Sequence, residues 1–506
     1  MTAVVGVDPS TGQELPSVVE ESDRAEVASI VAAASAAFNA YAATSRAERA
    51  ALADACADEI EASGDELIAT ASRETGFTTA KLTGEVKRAA YQFRFFASVL
   101  RDGGYLEAAI DHAGATPMGP QPDLRRLLVP LGPVAVFGSS NFPFAFSVLG
   151  GDTASALAAG NPVVVKAHSS HPATSRLSSE VLVRAVRRQT APEGTVGIVY
   201  GFQAGLDLVR DPAIRAVGFT GSLRGGQALL AATRERDEPI PFYGELSSLN
   251  PVVVTPAAAA ERAADIGTGF AASVSVGAGQ LCTKPGFLLV PQGAEGDQLV
   301  ASVAEALTGT ADFVLLNEGI HRTFVQTTEE FRERGDVSTV VGAPSAGPGF
   351  AAAATIFEVG LDDLDDHLVQ EVFGPVAVVV RYPADQLVDA ATRVLRTFPA
   401  SLTTTLHVAA EEDPGPVATL TATAVSQSGR VVFNGYPTGV AVSWAQTHGG
   451  PWPSTNSVHT SVGATAIRRF LRPVTFQDAP AFALPLELQE EYRDIPRRVD
   501  GELVLP

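Results

Sequence analysis

The spacing of hydrophobic positions changes near residue 128. From residue 24 to about residue 102 the apolar side chains recur with the helical period, as in EVASIVAAASAAF and DELIATASRE, which predicts amphipathic helices. Beyond residue 128, short apolar runs alternate with helical stretches, which indicates strands buried on both faces of parallel sheets. The pattern therefore predicts an α/β fold with two open-sheet domains.

The predicted strands and helices follow one another in regular alternation. The strands are VAVFGSS (134–140), VVVK (163–166), GIVY (197–200), AVGFTGS (216–222), PVVV (251–254) and FLLV (287–290), with VAVVVRY and VVFNG later, and the helices cover 144–159, 172–188, 223–236 and the stretch up to about 276.

Length, charge and cysteine content narrow the class of protein. A chain of 506 residues exceeds one hydrophobic core, and its formal net charge of −21 disfavours nucleic acid and anionic membranes as partners. Two cysteines do not make a disulfide framework, and the amino terminus lacks the features of a signal peptide. We find no run that reads as a membrane span, so we expect a cytosolic protein.

The two cysteines stand in contrasting surroundings. Cys56, in ALADACADEIEA, falls on the apolar side of a predicted helix and is expected to be a small buried hydrophobic residue. Cys282 instead lies in GAGQLCTKPG, among glycines, a proline and a lysine. A thiol in such a loop is accessible and close to backbone amide donors, which favours a reactive role.

Three more polar residues stand near predicted strand ends. Asn141 is in GSSNFPF, Glu245 in YGELSSLNP and Glu371 in QEVFGP. Singly, each has an ordinary structural explanation as a helix cap, an edge carboxylate or a turn residue. Together with Cys282 they supply a nucleophile, a base for water and an amide donor for an oxyanion.

A dinucleotide site is suggested by the sheets, but no G-x-G-x-x-G fingerprint follows any predicted strand. The turns GFTGS (218–222) and VYGFQAG (199–205) each end a strand and open a helix, which allows backbone to approach a pyrophosphate. Either turn alone is also explained as a plain strand-to-helix connection.

Six segments, taken in order, carry a resemblance to a known family. SNFPFAF, VVVKAH, GFTGS, YGEL, GQLCT and EVFGPV resemble the aldehyde dehydrogenase superfamily over nearly the whole chain. The run FNGYPTGVAVSWAQTHGGPWPSTN, with SVGATAIRRFLRPV after it, is similar to a branch of NADP-linked 2-oxoglutarate semialdehyde dehydrogenases and related fatty-aldehyde enzymes.

The resemblance implies roles for the polar residues. Cys282 would attack the aldehyde carbon to give a thiohemiacetal, whose oxyanion Asn141 and the Cys282 amide would hold. After hydride transfer, Glu245 would activate the water that hydrolyses the thioester to a carboxylate. The best-matching substrate is 2,5-dioxopentanoate, and the expected product is 2-oxoglutarate. Medium- or long-chain aliphatic aldehydes, an acylating relative that uses coenzyme A, and an inactive binding protein are the alternatives.

The same resemblance implies a nicotinamide cofactor and no metal. Lys166 would contact the adenosine ribose, Gly221 and Ser222 the pyrophosphate, and Glu371 the nicotinamide ribose with Phe373 beside it. Ser169 occupies the position where NAD-preferring relatives carry a glutamate. A hydroxyl can donate to a 2′-phosphate that a carboxylate would repel, which favours NADP and leaves NAD possible.

Substrate recognition has two competing explanations in the sequence. Arg94, on an aromatic-flanked helix, could meet a substrate carboxylate, or could lie across an apolar helix surface. Phe142, Trp444 and Trp452 could instead line an apolar tunnel for long aldehydes.

The resemblance also implies the domain organisation. A cofactor-binding domain would span 1–243, interrupted by an oligomerisation arm at about 108–132, and a catalytic domain would span 244–469. The carboxy-terminal segment 470–506 would complete the arm, and its FLRPVTFQDAP reads as an exposed strand that needs a partner. We therefore expect a homodimer or a pair of dimers.

Overall fold

The computed structural model describes residues 2–506, in which thirteen α-helices alternate with mostly short strands. The helices are α1 (Arg24–Ala42), α2 (Arg46–Ala62), α3 (Gly64–Thr75), α4 (Thr79–Asp102), α5 (Gly151–Ala159), α6 (Pro172–Arg188), α7 (Phe202–Arg210), α8 (Leu223–Arg234), α9 (Pro256–Ser275), α10 (Ala294–Leu307), α11 (Glu318–Arg332), α12 (Leu387–Thr397) and α13 (Pro414–Gln427).

The strands follow the same chain order. They are β1 (Ala3–Val4), β2 (Val7–Asp8), β3 (Gln13–Glu14), β4 (Val19–Glu20), β5 (Ala109–Asp111), β6 (Gly114–Thr116), β7 (Gly119–Gln121), β8 (Leu124–Pro130), β9 (Val134–Phe137), β10 (Val163–Lys166), β11 (Val196–Val199), β12 (Ala216–Thr220), β13 (Phe242–Glu245), β14 (Val252–Val254), β15 (Phe287–Pro291), β16 (Phe313–Val314), β17 (Val337–Val341), β18 (Ala351–Ala352), β19 (Thr355–Gly360), β20 (Val376–Tyr382), β21 (Ser401–His407), β22 (Ser428–Phe433), β23 (Leu471–Gln477), β24 (Arg497–Val499) and β25 (Glu502–Val504).

The first sheet is parallel throughout, with the order β11-β10-β9-β12-β13. Its central strand β9 is buried on both faces because alternate side chains point to opposite sides. Val134 and Val136 join the core formed with α2 to α6, whereas Ala135 and Phe137 join the core formed with α1, α7 and α8. The strand thus needs an uninterrupted apolar sequence, as predicted.

The second sheet has the order β17-β19-β20-β15-β14-β21-β22 and is parallel except for β17. Its two faces also carry separate cores, since Leu289 packs with one set of helices and Leu288 with the other. Two doubly covered sheets in one chain agree with the predicted architecture.

A third sheet, with the order β23-β8-β5-β24-β25, joins the segment near 108–132 to the carboxy terminus. Strand β23 pairs with β8 along its whole length, and its other side is an edge of the sheet. The predicted strand FLRPVTFQ is therefore present, with one side still open to pairing.

Two details differ from the sequence expectations. The helix predicted over 144–159 begins only at Gly151, because the carboxylate of Glu85 accepts the N–H groups of Phe144 and Ala145 and holds that stretch in turns. Helix α1 is long and apolar enough, by length and composition, to cross a membrane. In the fold, however, its Val27, Val31 and Ala34 pack into the core beside the first sheet.

Candidate active site

A cavity of about 440 Å³ opens at the carboxyl ends of strands β9, β12 and β13. Ligands of open α/β sheets bind at this edge, where the loops leave the strands. Its walls also include the loop before β15, the start of α11 and the loop before β20. Eight of the residues selected from the sequence line it, namely Asn141, Phe142, Gly221, Ser222, Glu245, Cys282, Glu371 and Phe373.

The loop that carries Cys282 is held in place by its neighbours. The side-chain amide of Asn250 donates to the carbonyl oxygens of Cys282, at 2.8 Å, and Lys284, at 3.0 Å. Gly279 has a φ of 66°, and a Cβ there would lie 2.1 Å from the carbonyl oxygen of Gly374. Glycine is therefore required for this close approach, and the loop is more constrained than its composition indicates.

His448 joins Cys282 to Glu245. Its Nε2 atom lies 3.4 Å from the Cys282 Sγ atom and 2.8 Å from the Glu245 Oε1 atom. The second carboxylate oxygen of Glu245 accepts the hydroxyl of Ser461 at 2.7 Å. His448 and Glu245 are both buried. The structure thus brings a thiol, an imidazole and a carboxylate within 4.8 Å of one another, beside the cavity that Cys282 and Glu245 line.

Burial and neighbouring groups shift the pKa values of Cys282 and Glu245. Burial raises the pKa of the Cys282 thiol well above its usual value, and the nearby Glu245 charge and hydrogen bond raise it further. Burial also opposes ionisation of Glu245, but the charge and hydrogen bond of His448, with hydrogen bonds from Ser461 and Cys282, bring its pKa below the usual value. Cys282 therefore needs a proton acceptor, and Glu245 is the ionised group beside it.

Asn141 lines the same cavity as Cys282, on the loop after β9. Its side-chain amide donates to the carbonyl of Gln280 at 2.8 Å, two residues before Cys282. The main-chain carbonyl of Asn141 accepts the Lys81 ammonium group at 3.2 Å. These two bonds fix the amide next to the cysteine loop, where one of its N–H groups is engaged and the other is available.

The residues expected to contact the adenine end of a dinucleotide lie at the ends of β10 and β12. Lys166 is the last residue of β10, and burial lowers its pKa while Glu21 opposes that shift. Ser169 is exposed just beyond it. Ser222 caps α8 by accepting the N–H of Gly225 at 3.2 Å, so the free amides of that helix face the end of the cavity lined by Gly221.

Glu371 and Phe373 line the cavity on the loop before β20. Lys284, two residues after Cys282, donates its ammonium group to the carbonyls of Val372 at 3.1 Å and Val376 at 2.7 Å. Burial lowers the pKa of Lys284 to about 8, although Glu371 opposes the shift. Lys284 therefore ties the loop that carries Glu371 to the loop that carries Cys282.

Two of the predicted substrate residues lie outside the cavity. The guanidinium of Arg94 binds Asp58 at 3.1 Å and Glu61 at 2.6 Å on the outer side of α4. Trp444 is 55% exposed and packs edge-to-face against Phe95. The structure thus corrects the proposed placement of Arg94 and Trp444. Phe142 does line the cavity, in contact with Phe146.

A larger cavity of about 900 Å³ lies on the other side of the segment 447–460. It is lined by Trp452, which sequence analysis considered as a tunnel residue, and by neither Cys282 nor Glu245. Its size does not make it the reactive centre, because the groups with perturbed protonation converge in the smaller cavity.

Donor atoms of Glu245, Cys282 and His448 lie within 4.8 Å of one another. Oxygen, sulfur and imidazole nitrogen are donors that zinc accepts, so the three side chains could hold such an ion. Occupation would consume the thiol and the carboxylate together, and we assign no metal to the reaction.

Sequence analysis missed His448 and Lys284. Both stood inside quoted segments, THGGPW and QLCTKPG, but a lone histidine or lysine in a glycine-rich stretch carries no chemical signal until its partners are known. Cys56, in contrast, is fully buried in α2 as expected.

Comparison with known sequences gives a consistent result. The profile of the aldehyde dehydrogenase family matches residues 2–472. Alpha-ketoglutaric semialdehyde dehydrogenase 2 of Azospirillum brasilense is 44% identical over 98% of this chain and 95% of its own length. Alpha-ketoglutaric semialdehyde dehydrogenase of Acinetobacter baylyi is 39% identical over 94% of this chain and 91% of its own.

Solved structures share the fold. A mutant of aldehyde dehydrogenase C of Pseudomonas syringae, in complex with NAD+ and octanal, superimposes with a TM-score of 0.81 at 21% identity, covering 95% of this chain and 94% of its own. 1-Pyrroline-5-carboxylate dehydrogenase from Thermus with bound NAD gives 0.80 at 22% identity, covering 93% and 89%. The predicted fold class is thereby confirmed.

Proposed function

Because the chain belongs to the aldehyde dehydrogenase family, we propose that it oxidises 2-oxoglutarate semialdehyde (2,5-dioxopentanoate) to 2-oxoglutarate. The two relatives that cover nearly the whole chain carry that activity in their names. The observation that carries the proposal is the convergence of Cys282, Glu245 and Asn141 on one cavity. A thiol, a base and an oxyanion donor are the protein groups that this reaction requires.

A nicotinamide dinucleotide, when bound, supplies the hydride acceptor for this oxidation. The residues present fit such a group. The amino terminus of α8 presents free amides beside Gly221, and Lys166 adds a cation at the end of β10, two strands away in the same sheet. Glu371 is a half-buried carboxylate that lines the cavity and could accept ribose hydroxyls there. We assign the first sheet to dinucleotide binding on these grounds.

The first task of the protein is to deprotonate Cys282. Since the thiol's pKa is raised, a thiolate forms only when its proton passes to a neighbour. The Glu245 carboxylate and the His448 imidazole are both in contact with the sulfur. The thiolate then bonds to the aldehyde carbon as the carbonyl π-electrons move to oxygen, which gives a thiohemiacetal oxyanion.

Asn141 stabilises that oxyanion. Its free amide N–H, together with the backbone N–H of Cys282, provides the two donors that the charge needs. Removal of one such donor costs about 10²–10³-fold in turnover. The bond from Asn141 to the Gln280 carbonyl keeps the amide oriented toward the cysteine loop before substrate arrives.

Glu245 acts again when the thioester is hydrolysed. As an ionised carboxylate it accepts a proton from the attacking water, the C–S bond breaks, and the thiol returns on Cys282. Release of the acid as a carboxylate makes the overall oxidation effectively irreversible. A base at this point favours hydrolysis over transfer to coenzyme A.

The test is an assay of nicotinamide reduction with 2,5-dioxopentanoate, succinate semialdehyde, hexanal and benzaldehyde, each with and without coenzyme A. We expect the highest kcat/KM for 2,5-dioxopentanoate and no dependence on coenzyme A. Equal or higher kcat/KM for hexanal would favour the fatty-aldehyde alternative, and strict dependence on coenzyme A would favour the acylating one. If no aldehyde is turned over, the result would favour the remaining alternative, a catalytically inactive binding protein.

We also propose that NADP is preferred and NAD accepted. Ser169, exposed beyond Lys166, offers a hydroxyl in place of a carboxylate. Glu21 opposes this preference, because its side chain lies beside Gly201 and its charge reaches Lys166. The ratio of kcat/KM for the two nucleotides measures the balance, and a ratio in favour of NAD would overturn the proposal.

For assembly we propose a homodimer or a pair of dimers. The open side of β23 and the largely exposed Phe482 close to it in the chain are surfaces that a second copy would cover. Light scattering coupled to size exclusion gives the mass, and a monomer of 52.5 kDa would contradict this proposal. A cytosolic location is in keeping with Cys56 and Cys282, the two cysteines of the chain, both being free thiols.

A further inference from the structure

Helix α4 presents a polar stripe to the loop that carries Asn141. Lys81 donates to the Asn141 carbonyl at 3.2 Å, and the Glu85 carboxylate accepts the N–H of Phe144 at 2.8 Å. About two turns further on, the amide of Gln92 donates to the carbonyl of Ala145 at 3.1 Å. The polar groups of these three residues form hydrogen bonds that hold the loop in place.

Arg88 lies on the same stripe but uses its polar groups differently. Its Nη1 donates to the carbonyl of Val440, and its guanidinium lies 5.4 Å from the ring centre of Phe146. Its Nε and Nη2 atoms are buried and have no hydrogen-bond partner among residues 2–506. Buried hydrogen-bond donors normally have acceptors, and a charged group whose buried donors lack acceptors lowers the stability of the fold.

The unpartnered donors lie near the reacting groups. Phe146 lines the cavity that holds Cys282, and its ring centre is 6.2 Å from that of His448. The charge of Arg88 is close enough to act on both Cys282 and Glu245. Arg88 is therefore held between α4 and the Val440 segment, directly behind Phe146, whose ring stands between the guanidinium and the cavity.

We propose that Arg88 binds the carboxylate of the substrate's 2-oxo acid end through its Nε and Nη2 atoms. The proposal rests on the proposed function, which requires an aldehyde with an anionic far end. The Nε–H and Nη2–H bonds of a guanidinium run parallel along one edge and match the two oxygens of a carboxylate. Binding would satisfy both orphaned donors while the aldehyde end lies at Cys282.

Arg430 is another cation whose charge acts on Cys282, but its guanidinium is already hydrogen-bonded to main-chain carbonyls. Its Nη1 and Nη2 donate to the carbonyls of Gly439 and Pro437, which leaves its Nε alone without a partner. Arg430 therefore lacks the pair of unpartnered Nε and Nη2 atoms that Arg88 has. We infer that Arg430 holds the segment whose next residue, Val440, orients Arg88.

The experiment compares wild type with R88Q, R88K and the matched control R94Q, which removes a surface arginine from the same helix. For each, kcat/KM is measured with 2,5-dioxopentanoate and with hexanal, and the ratio of the two is the readout. Because a desolvated carboxylate loses a bidentate ion pair, R88Q should lower the ratio by about 10²-fold or more. R88K should lower it less, and R94Q by less than about two-fold.

Each outcome separates the two hypotheses. If wild type prefers the keto acid and R88Q abolishes that preference, the assignment stands. If wild type prefers it and R88Q keeps the ratio, or loses activity on both aldehydes equally, the assignment fails while the proposed function survives. If wild type shows no preference, the proposed function fails and the assignment with it.

A second measurement does not depend on R88Q folding. Titration of 2-oxoglutarate into wild-type and R88K protein reports carboxylate binding directly, and R88K retains both charge and size. We expect the dissociation constant to rise by about ten-fold or more in R88K, because an ammonium group cannot replace a bidentate fork. Equal affinity in the two proteins would overturn the assignment.

Discussion

The contact of His448 with both Glu245 and Cys282 predicts that this imidazole sets the protonation state of the base. His448→Phe removes the nitrogen and keeps a ring of similar size in a buried site. Glu245 then loses the 2.8 Å partner whose charge and hydrogen bond oppose the effect of burial. We therefore expect the pKa of Glu245 to rise, because the charged carboxylate has become less stable.

The size of the effect follows from the bond that is lost. A hydrogen bond to a charged group contributes about 1.5–3 kcal/mol, which corresponds to a shift of about 1–2 pKa units. Since Glu245 must be ionised to activate water, the acidic limb of the kcat profile should move to higher pH by about that amount. The Ser461 hydroxyl remains on the other oxygen and limits the shift.

The assay is the pH dependence of kcat and of kcat/KM for nicotinamide reduction, from about pH 5 to pH 9, with S461A as the control. S461A also removes one bond to Glu245 but does not touch the thiol. S461A should move the acidic limb without lowering the plateau of kcat/KM, whereas H448F should also lower that plateau through the lost contact with sulfur. A limb that stays in place in H448F, or moves to lower pH, would refute the reasoning.

Four further substitutions, in three experiments, test other parts of the site. Cys282→Ser should lower oxidation by at least about 10³-fold while dinucleotide binding, followed by fluorescence titration, persists; retained turnover would remove the thiol from the mechanism. Glu21→Gln should raise, and Ser169→Glu should lower, the NADP-to-NAD ratio of kcat/KM by about ten-fold, and opposite signs would contradict the assignment of this end of the cavity. Lys284→Met tests linkage, because the folded pKa of about 8 lies below the unfolded value of 10.5. Between these two pH values the unfolded chain binds one more proton at Lys284 than the folded chain does, so raising the pH favours the folded state. The melting temperature of wild type minus that of K284M should therefore increase from pH 8 to pH 10, and a decrease would contradict this prediction.

The buried framework was predictable because its signal is local. Strands such as β9, β10 and β15 are covered on both faces, so each must be apolar at every position, and this shows directly in VAVF, VVVK and FLLV. The helical amino-terminal region was equally clear from its period. The late start of α5 was not, because it depends on Glu85, a carboxylate more than fifty residues earlier in the chain.

The site was predictable only where a residue type is scarce or a motif is shared. Cys282 stood out because the chain has two cysteines, and Glu245 and Asn141 followed from the family resemblance. His448 contacts Cys282 and Glu245 from more than 160 positions further along the chain than Cys282. Its role depends on the segment around Thr455 pairing with the end of β13, a contact that no local pattern encodes.

Helical periodicity could have distinguished Arg88 from Arg94 as the candidate for substrate binding. Both lie near aromatic residues on α4, and aromatic flanks alone favoured Arg94. At about 100° per residue, positions 81, 85, 88 and 92 fall within about 60° of one another, whereas position 94 lies on the opposite side of the helix. A stripe of Lys, Glu, Arg and Gln is too polar to face an ordinary core, so it must meet polar groups or a ligand. Three members of the stripe meet the loop from Asn141 to Ala145, and Arg88 is the member whose donors remain for the substrate.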